Sequence, residues 1–197
     1  MKFKRLLQVR PSLHRHNVVP HARKHSAKMK RLELNIEKIA IIGEQKEEEN
    51  YDFRVFLKGL DFEHVDKIVH RIDKDVRTQI DCEKCGNCCK SLRPCVTDSE
   101  IDTLSQIDNL THHDFINRFV EIDKLEGIKY LKDTPCKYLA DKSCSIYTSR
   151  PEDCKSYPHT QKKEFITRTL GMIENYGICP IVFNLFEQLK MELGYEY

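Results

Sequence analysis

Between residues 61 and 78 apolar side chains recur every three or four positions: Phe62, Val65, Ile68, Val69, Ile72 and Val76. That spacing lays them along one stripe of a helix. Asp61 stands where a carboxylate caps a first turn, so the pattern predicts a helix over 62–78 that ends just before a run of cysteines. Upstream, Leu32, Leu34, Ile36 and Ile39 alternate with charged residues over 32–42, which suits a short helix or a strand, and 44–50 reads as a polar linker. Downstream, Thr97-Asp98-Ser99-Glu100 opens a helix bearing Ile101, Leu104 and Ile107. Thr111, with Asp114 in capping-box position, opens another bearing Phe115, Ile116, Phe119 and Val120. Residues 128–131 read as extended.

Two short apolar runs flank the polar turn Ala140-Asp141-Lys142-Ser143, the pattern of a β-hairpin that brings Cys136 and Cys144 side by side near its open end. Ser149 reads as the cap of a short helix with Pro151 in its first turn and Cys154 on it. Phe165, Ile166, Leu170 and Ile173 set a further helical stripe broken by Gly177, and Cys179-Pro180 starts a last helix carrying Ile181, Val182, Leu185, Phe186 and Leu189. The expected fold class is mainly α with a small β-hairpin (α+β), a compact cysteine-rich metal-site domain over 61–197. A linker with one short element precedes it at 32–60, and a basic leader at 1–31.

Composition sharpens this picture. The chain has 197 residues, 40% apolar and 32% charged, with no Trp, so its core is modest and metal cross-links would add to its stability. No apolar run is long enough to cross a membrane, and no apolar stretch of signal-peptide type follows the basic start. The expectation is a reducing cytoplasm, where nine cysteines point to metal rather than to disulfides. Net charge is +2, but residues 1–31 hold ten Lys or Arg, four His and no acid, leaving 23 basic residues to face 31 acids in the rest. The leader fits a solvated disordered tail, an arm for nucleic acid or an anionic surface, or a transit peptide; Met29 is an alternative start.

The chemistry concentrates at Cys82-Glu83-Lys84-Cys85-Gly86-Asn87-Cys88-Cys89. Thiolates packed this closely repel one another unless a cation lies between them, and a soft metal, zinc or an iron–sulfur cluster, meets that need. The C-x2-C-x2-C spacing is that of a loop giving three ligands to a [4Fe–4S] cluster, and Gly86 relieves crowding at the turn. Because neighbouring side chains diverge, Cys89 is expected to serve a second metal or another part of the same site. With Cys136, Cys144, Cys154 and Cys179 the thiols number eight, enough for two four-ligand sites, or for one complete site and one open to substrate. Cys95 is expected to be a bystander. Arg150, beside Cys154, could offset thiolate charge or hold an anionic ligand, and Tyr147 and Tyr157 are expected to pack near the cluster. His64, His70, His112, His113 and His159 rank below the cysteines as ligands. The sequence has no phosphate-cradling glycine loop, no G-x-S-x-G and no H-E-x-x-H.

Four linked motifs carry a family resemblance: the run 82–89; Pro135-Cys136 to Cys144 and Tyr147; Arg150-Pro151-x2-Cys154-x2-Tyr157-Pro158; and Cys179-Pro180. Together, over about 80–181, they resemble the CxxCxxCC cysteine-cluster family, the YkgJ-like proteins, whose members are labelled zinc- or iron-chelating and in some cases Fe–S oxidoreductases. Flagellin lysine N-methylase is similar in this pattern. The resemblance implies metal binding at Cys82, Cys85, Cys88, Cys89, Cys136, Cys144, Cys154 and Cys179, with Arg150 and Tyr147 as cofactor contacts. Lys90 and Lys155 stand where the family pattern leads us to expect Arg, and Cys95 lies outside that pattern. Three functions follow as expectations: a metal protein holding iron (as Fe–S) or zinc, with a redox role and a protein partner; an S-adenosylmethionine-dependent lysine N-methylase-like enzyme; and a non-catalytic, zinc-stapled interaction domain.

Overall fold

Asn35 accepts a hydrogen bond from the Lys38 amide at 3.0 Å and so caps α1, Ile36–Gln45. These belong to a computed structural model that describes residues 31–197. The basic leader, with the readings attached to residues 1–30, lies outside the described residues. The stretch expected as a polar linker, 44–50, is instead the end of α1 and the start of α2, Glu47–Leu57. The acidic run that suggested solvated chain fills the first turn of α2, where negative charge is favoured by the helix dipole. Asn50, Phe53 and Leu57 follow at helical spacing and are buried. A Cβ on Gly43 would lie 2.7 Å from the Gly177 Cα, so backbone meets backbone where α1 crosses that turn. Residues 32–60 are thus part of the core.

Helix α3, Phe62–Arg77, follows the expected span, with the Asp61 carboxylate accepting from the His64 amide at 2.7 Å. Its buried stripe, Val65, Val69, Ile72 and Val76, packs against α10 (Pro180–Glu192) and the 3₁₀ turn Phe165–Arg168, and α9 (Thr169–Tyr176) adds to the same core from the side of α2 and α10. Phe186 is the hub of this first core: its ring lies 5.9 Å from Phe53, 6.1 Å from Phe165 and 5.7 Å from Tyr176, mostly edge-on. A polar knot accompanies it. The buried Lys190 ammonium donates to Glu49 and to Asn50, each at 2.6 Å, and the Tyr176 hydroxyl donates to Glu187 at 2.9 Å. Leu170, expected on the buried stripe, is 46% exposed, because a 3₁₀ turn at Phe165–Arg168 sets the phase of the helix that follows.

Two one-turn helices carry the cysteine run, α4 (Cys82–Cys85) and α5 (Cys88–Ser91). Beyond them a second core forms from α6 (Asp98–Ile107), α7 (His112–Phe119) and the antiparallel pair β1 (Val120–Ile122) and β2 (Lys129–Leu131). Thr97 and Glu100 close a full capping box on α6, and Thr111 caps α7 through the Asp114 amide. Val120, expected on the α7 stripe, opens β1 instead; it is buried by pairing with Leu131. The hairpin forms from β3 (Leu139–Ala140) and β4 (Ser143–Cys144), with Leu139 opposite Cys144. Ser149 ends a 3₁₀ turn, and α8, Glu152–Ser156, starts only after Pro151, so the expected Ser149 cap is displaced.

The cysteine run is pinned from both sides. Asn87 donates to the Ile178 carbonyl at 2.8 Å, at the base of α10. On the other side the Cys136 amide donates to the Cys89 carbonyl at 2.7 Å, and the Ser143 hydroxyl donates to the Glu83 carbonyl at 3.3 Å. Gly86 holds φ at +58° and its Cα faces the Lys142 carbonyl so closely that a Cβ would collide with it. Gly86→Ala therefore adds left-handed strain to a clash with backbone, and we expect a loss of about 2 kcal/mol or more in denaturant unfolding. Phe186→Ala, by removing the ring shared by three others, should cost about 3–5 kcal/mol in the same measurement.

Candidate metal centre

The fold brings the eight sulfurs into two neighbouring groups. Cys82, Cys85, Cys88 and Cys179 line one small cavity of about 30 Å³, closed by Tyr157, Pro158 and Ile178. Cys179 sits at the N-cap of α10, so a residue almost a hundred positions downstream completes what α4 and α5 begin. The second group is Cys89, Cys136, Cys144 and Cys154: each of the last three has Cys89 as an electrostatic neighbour, and Cys154 also senses Cys136 and Cys144. The hairpin supplies Cys144 and α8 supplies Cys154.

The groups touch at Cys88 and Cys89, whose sulfurs are 3.9 Å apart. That is close to the edge, about 3.8 Å, of a tetrahedron of sulfurs about 2.3 Å from a central ion. The two side chains still face different companions. Cys88 has Cys179 and Cys82 beside it, whereas Cys89 adjoins the hairpin and α8 thiols. Each group also rests on its own core: Cys179 is buried in the first, and Cys136 and Cys144 pack against the second.

Electrostatics explain why these thiols need a cation. Burial pushes the Cys179 thiol up to about 11 and the Cys154 thiol up to about 12, and it raises Cys82, Cys136 and Cys144 as well. Cys88 and Cys89 share a proton: the hydrogen bond between them raises Cys88 and lowers Cys89. Positive charge nearby works the other way. Arg77 and Arg150 both favour the Cys82 thiolate, and Arg150 also favours that of Cys144, which places it between the groups. Its guanidinium lies 3.6 Å from the centre of the Tyr147 ring and donates to the Tyr147 carbonyl at 2.5 Å. Arg150 and Tyr147, expected as cofactor contacts, thus grip each other beside the sulfurs. Among the described residues no three His, Cys, Asp or Glu side chains stand close enough together to hold a metal ion as they are.

Residues outside the ligand set support it. The Tyr157 hydroxyl donates to Asn175 at 3.0 Å and lies against Cys179, Cys88 and Cys82, with its own acidity suppressed by burial and by those thiols. Asn87, whose amide anchors the loop to Ile178, is a second such residue; its place between Gly86 and Cys88 was the only signal for it in the sequence. Cys95 has Asp153, Tyr130 and Glu100 as neighbours rather than thiols, and its amide donates to Asp153 at 3.0 Å. The histidines go elsewhere: His159 pairs with Asp153 at 3.2 Å, His112 with Asp102 at 2.5 Å, and His113 with Asn117 at 3.1 Å.

No curated protein and no solved structure matches the chain. Residues 81–170, which span seven of the eight grouped thiols, match the family model CxxCxxCC, described as "Putative zinc- or iron-chelating domain". Cys179 lies just beyond the matched segment and yet shares the cavity with Cys82, Cys85 and Cys88. Residues 81–170 of this chain are thus similar to the CxxCxxCC zinc- or iron-chelating domain.

Proposed function

We propose that the chain is a two-ion metal-binding protein in which Cys82, Cys85, Cys88 and Cys179 hold one ion and Cys89, Cys136, Cys144 and Cys154 hold the other. The observation that carries this reading is the cavity of about 30 Å³ with four thiols in its wall. Four sulfurs around one small cavity place their donors where a single ion can meet all of them. Four thiolates in a tetrahedral shell suit zinc, and suit iron held as a single ion.

A shell filled by four sulfurs keeps no open position, which is the arrangement of structural rather than hydrolytic metal sites. Bound there, the ion supplies cross-linking and neutralises the thiolates; if it is iron, it also supplies one-electron chemistry. The protein's own residues do the rest. Asn87 and the Cys89 carbonyl fix the loop, Arg150 and Arg77 offset the remaining negative charge, and Tyr157 with Pro158 seals the first cavity. Because each group leans on a different apolar core, the pair of ions ties the two cores together. Such ligands must stay reduced, which suits a reducing compartment. The redox reading is kept for iron; the methyl-transfer reading stands on the cysteine pattern alone.

Protein purified anaerobically should carry about two ions per chain by elemental analysis, with no acid-labile sulfide. Stoichiometric sulfide and broad visible absorbance would replace the single-ion reading with a cluster. Cys85→Ser should remove one ion and Cys154→Ser the other, each with a clear fall in thermal stability, while Cys95→Ser should change neither. Since burial pushes the Cys179 thiol up to about 11 and the Cys154 thiol up to about 12, a metal must displace the protons of at least these two. Affinity should rise steeply with pH and fall in acid, by on the order of a hundredfold or more per pH unit if two or more protons leave per ion, as read in competition with a chelator at about pH 6, 7 and 8.

A further inference from the structure

Next to the four-thiol cavity lies a second, open cleft of about 670 Å³, within the size range of small-molecule sites. Ile80, Cys85 and Pro180 line both spaces and so form the wall between them. The floor of the cleft is apolar where Leu34, Ile36 and Ile80 contribute. Its rim carries three ammonium groups, from Lys84, Lys90 and Lys142. Lys84 is paired with Asp81 at 3.2 Å, and Glu37 is the other acid in the lining. Lys90 and Lys142 make no ion pair or side-chain hydrogen bond among the described residues. Lys90 is also the residue that stands where an arginine was expected, and no part of the metal reading uses it. A lysine there offers a compact, mobile point charge in place of a planar fork.

Two unpaired ammoniums over an apolar floor recognise a molecule with a doubly charged head and an apolar body. We propose that this cleft binds a small organic phosphate, its phosphate between Lys90 and Lys142 and its apolar part over Ile80 and Ile36, with Cys85 between ligand and metal. Lysine is well suited to phosphate as a point charge. The two lysines are held in different elements, Lys90 in α5 and Lys142 in the β3–β4 turn. The close approach of Gly86 to the Lys142 backbone ties the hairpin turn to the cysteine run that leads into Lys90. Ordering of the run 82–89 by metal would therefore order the ligand site too. In that respect the inference rests on the metal reading, although the charges themselves are present in the metal-free chain.

Calorimetry on the full-length chain, metal-loaded and metal-free, should use phenyl phosphate, benzoate and inorganic phosphate as probes. Phenyl phosphate should bind best, with millimolar affinity or tighter; inorganic phosphate should be weaker for want of an apolar body, and benzoate weaker for want of the second charge. The double variant Lys90→Gln/Lys142→Gln should lose at least about tenfold in phenyl phosphate affinity with its metal content unchanged, since neither lysine is a ligand. Absence of binding by all three probes up to about 10 mM, or equal affinity in the double variant, overturns the proposal. Elemental analysis of the same samples separates this from failure of the metal reading: a chain free of metal that still binds phenyl phosphate through the two lysines keeps the cleft and discards the ions.

Discussion

The constraint on which this molecule turns is the gathering of thiols, from the partly exposed Cys82 to the buried Cys179, around one short stretch of chain. Burial raises most of these thiols, so without a cation they remain protonated and hold their positions by backbone ties alone. The ties are local and numerous. The Cys89 carbonyl, the Asn87 amide and the Gly86–Lys142 contact lock the cysteine run between α10 on one side and the hairpin on the other. Neither apolar core is large, and each presents thiols to the same narrow seam. On the two-ion proposal, inorganic cross-links would add stability that a larger domain would draw from buried area.

Much of the framework was legible in the residues. The period of α3, its Asp61 cap, the Thr97 and Thr111 starts and the hairpin around Asp141-Lys142 are local patterns, and local patterns suffice where propensity, capping and burial agree. The failures share a cause. Glu47-Glu48-Glu49 reads as solvated chain until a dipole and a buried Lys190 are there to accept it. Val120 fits the α7 stripe until β2 arrives to pair with it. In both cases a partner far along the chain settles a choice that the segment leaves open.

The site divides in the same manner. That the cysteines belong together could be read from their spacing; how they sort could not. Cys88 and Cys89 are adjacent in sequence and yet face different groups, because the one-turn helix α5 splays them and because Cys179 approaches from the first core while Cys136 approaches from the second. Arg150 was visible as a charge beside Cys154, but its station between Cys82 and Cys144 depends on a Tyr147 ring that holds it flat. Tyr157 was legible as a neighbour of the cluster from the Tyr157-Pro158 motif; Asn175, which accepts a hydrogen bond from its hydroxyl, has no signature in the sequence.

The single peptide link between Cys88 and Cys89 has a mechanical corollary. One rigid turn of α5 presents both sulfurs, so any tilt that tightens one shell must also move a donor of its neighbour. In the two-ion reading the positions are therefore coupled, because ordering of α5 by one ion lessens the ordering left for the other.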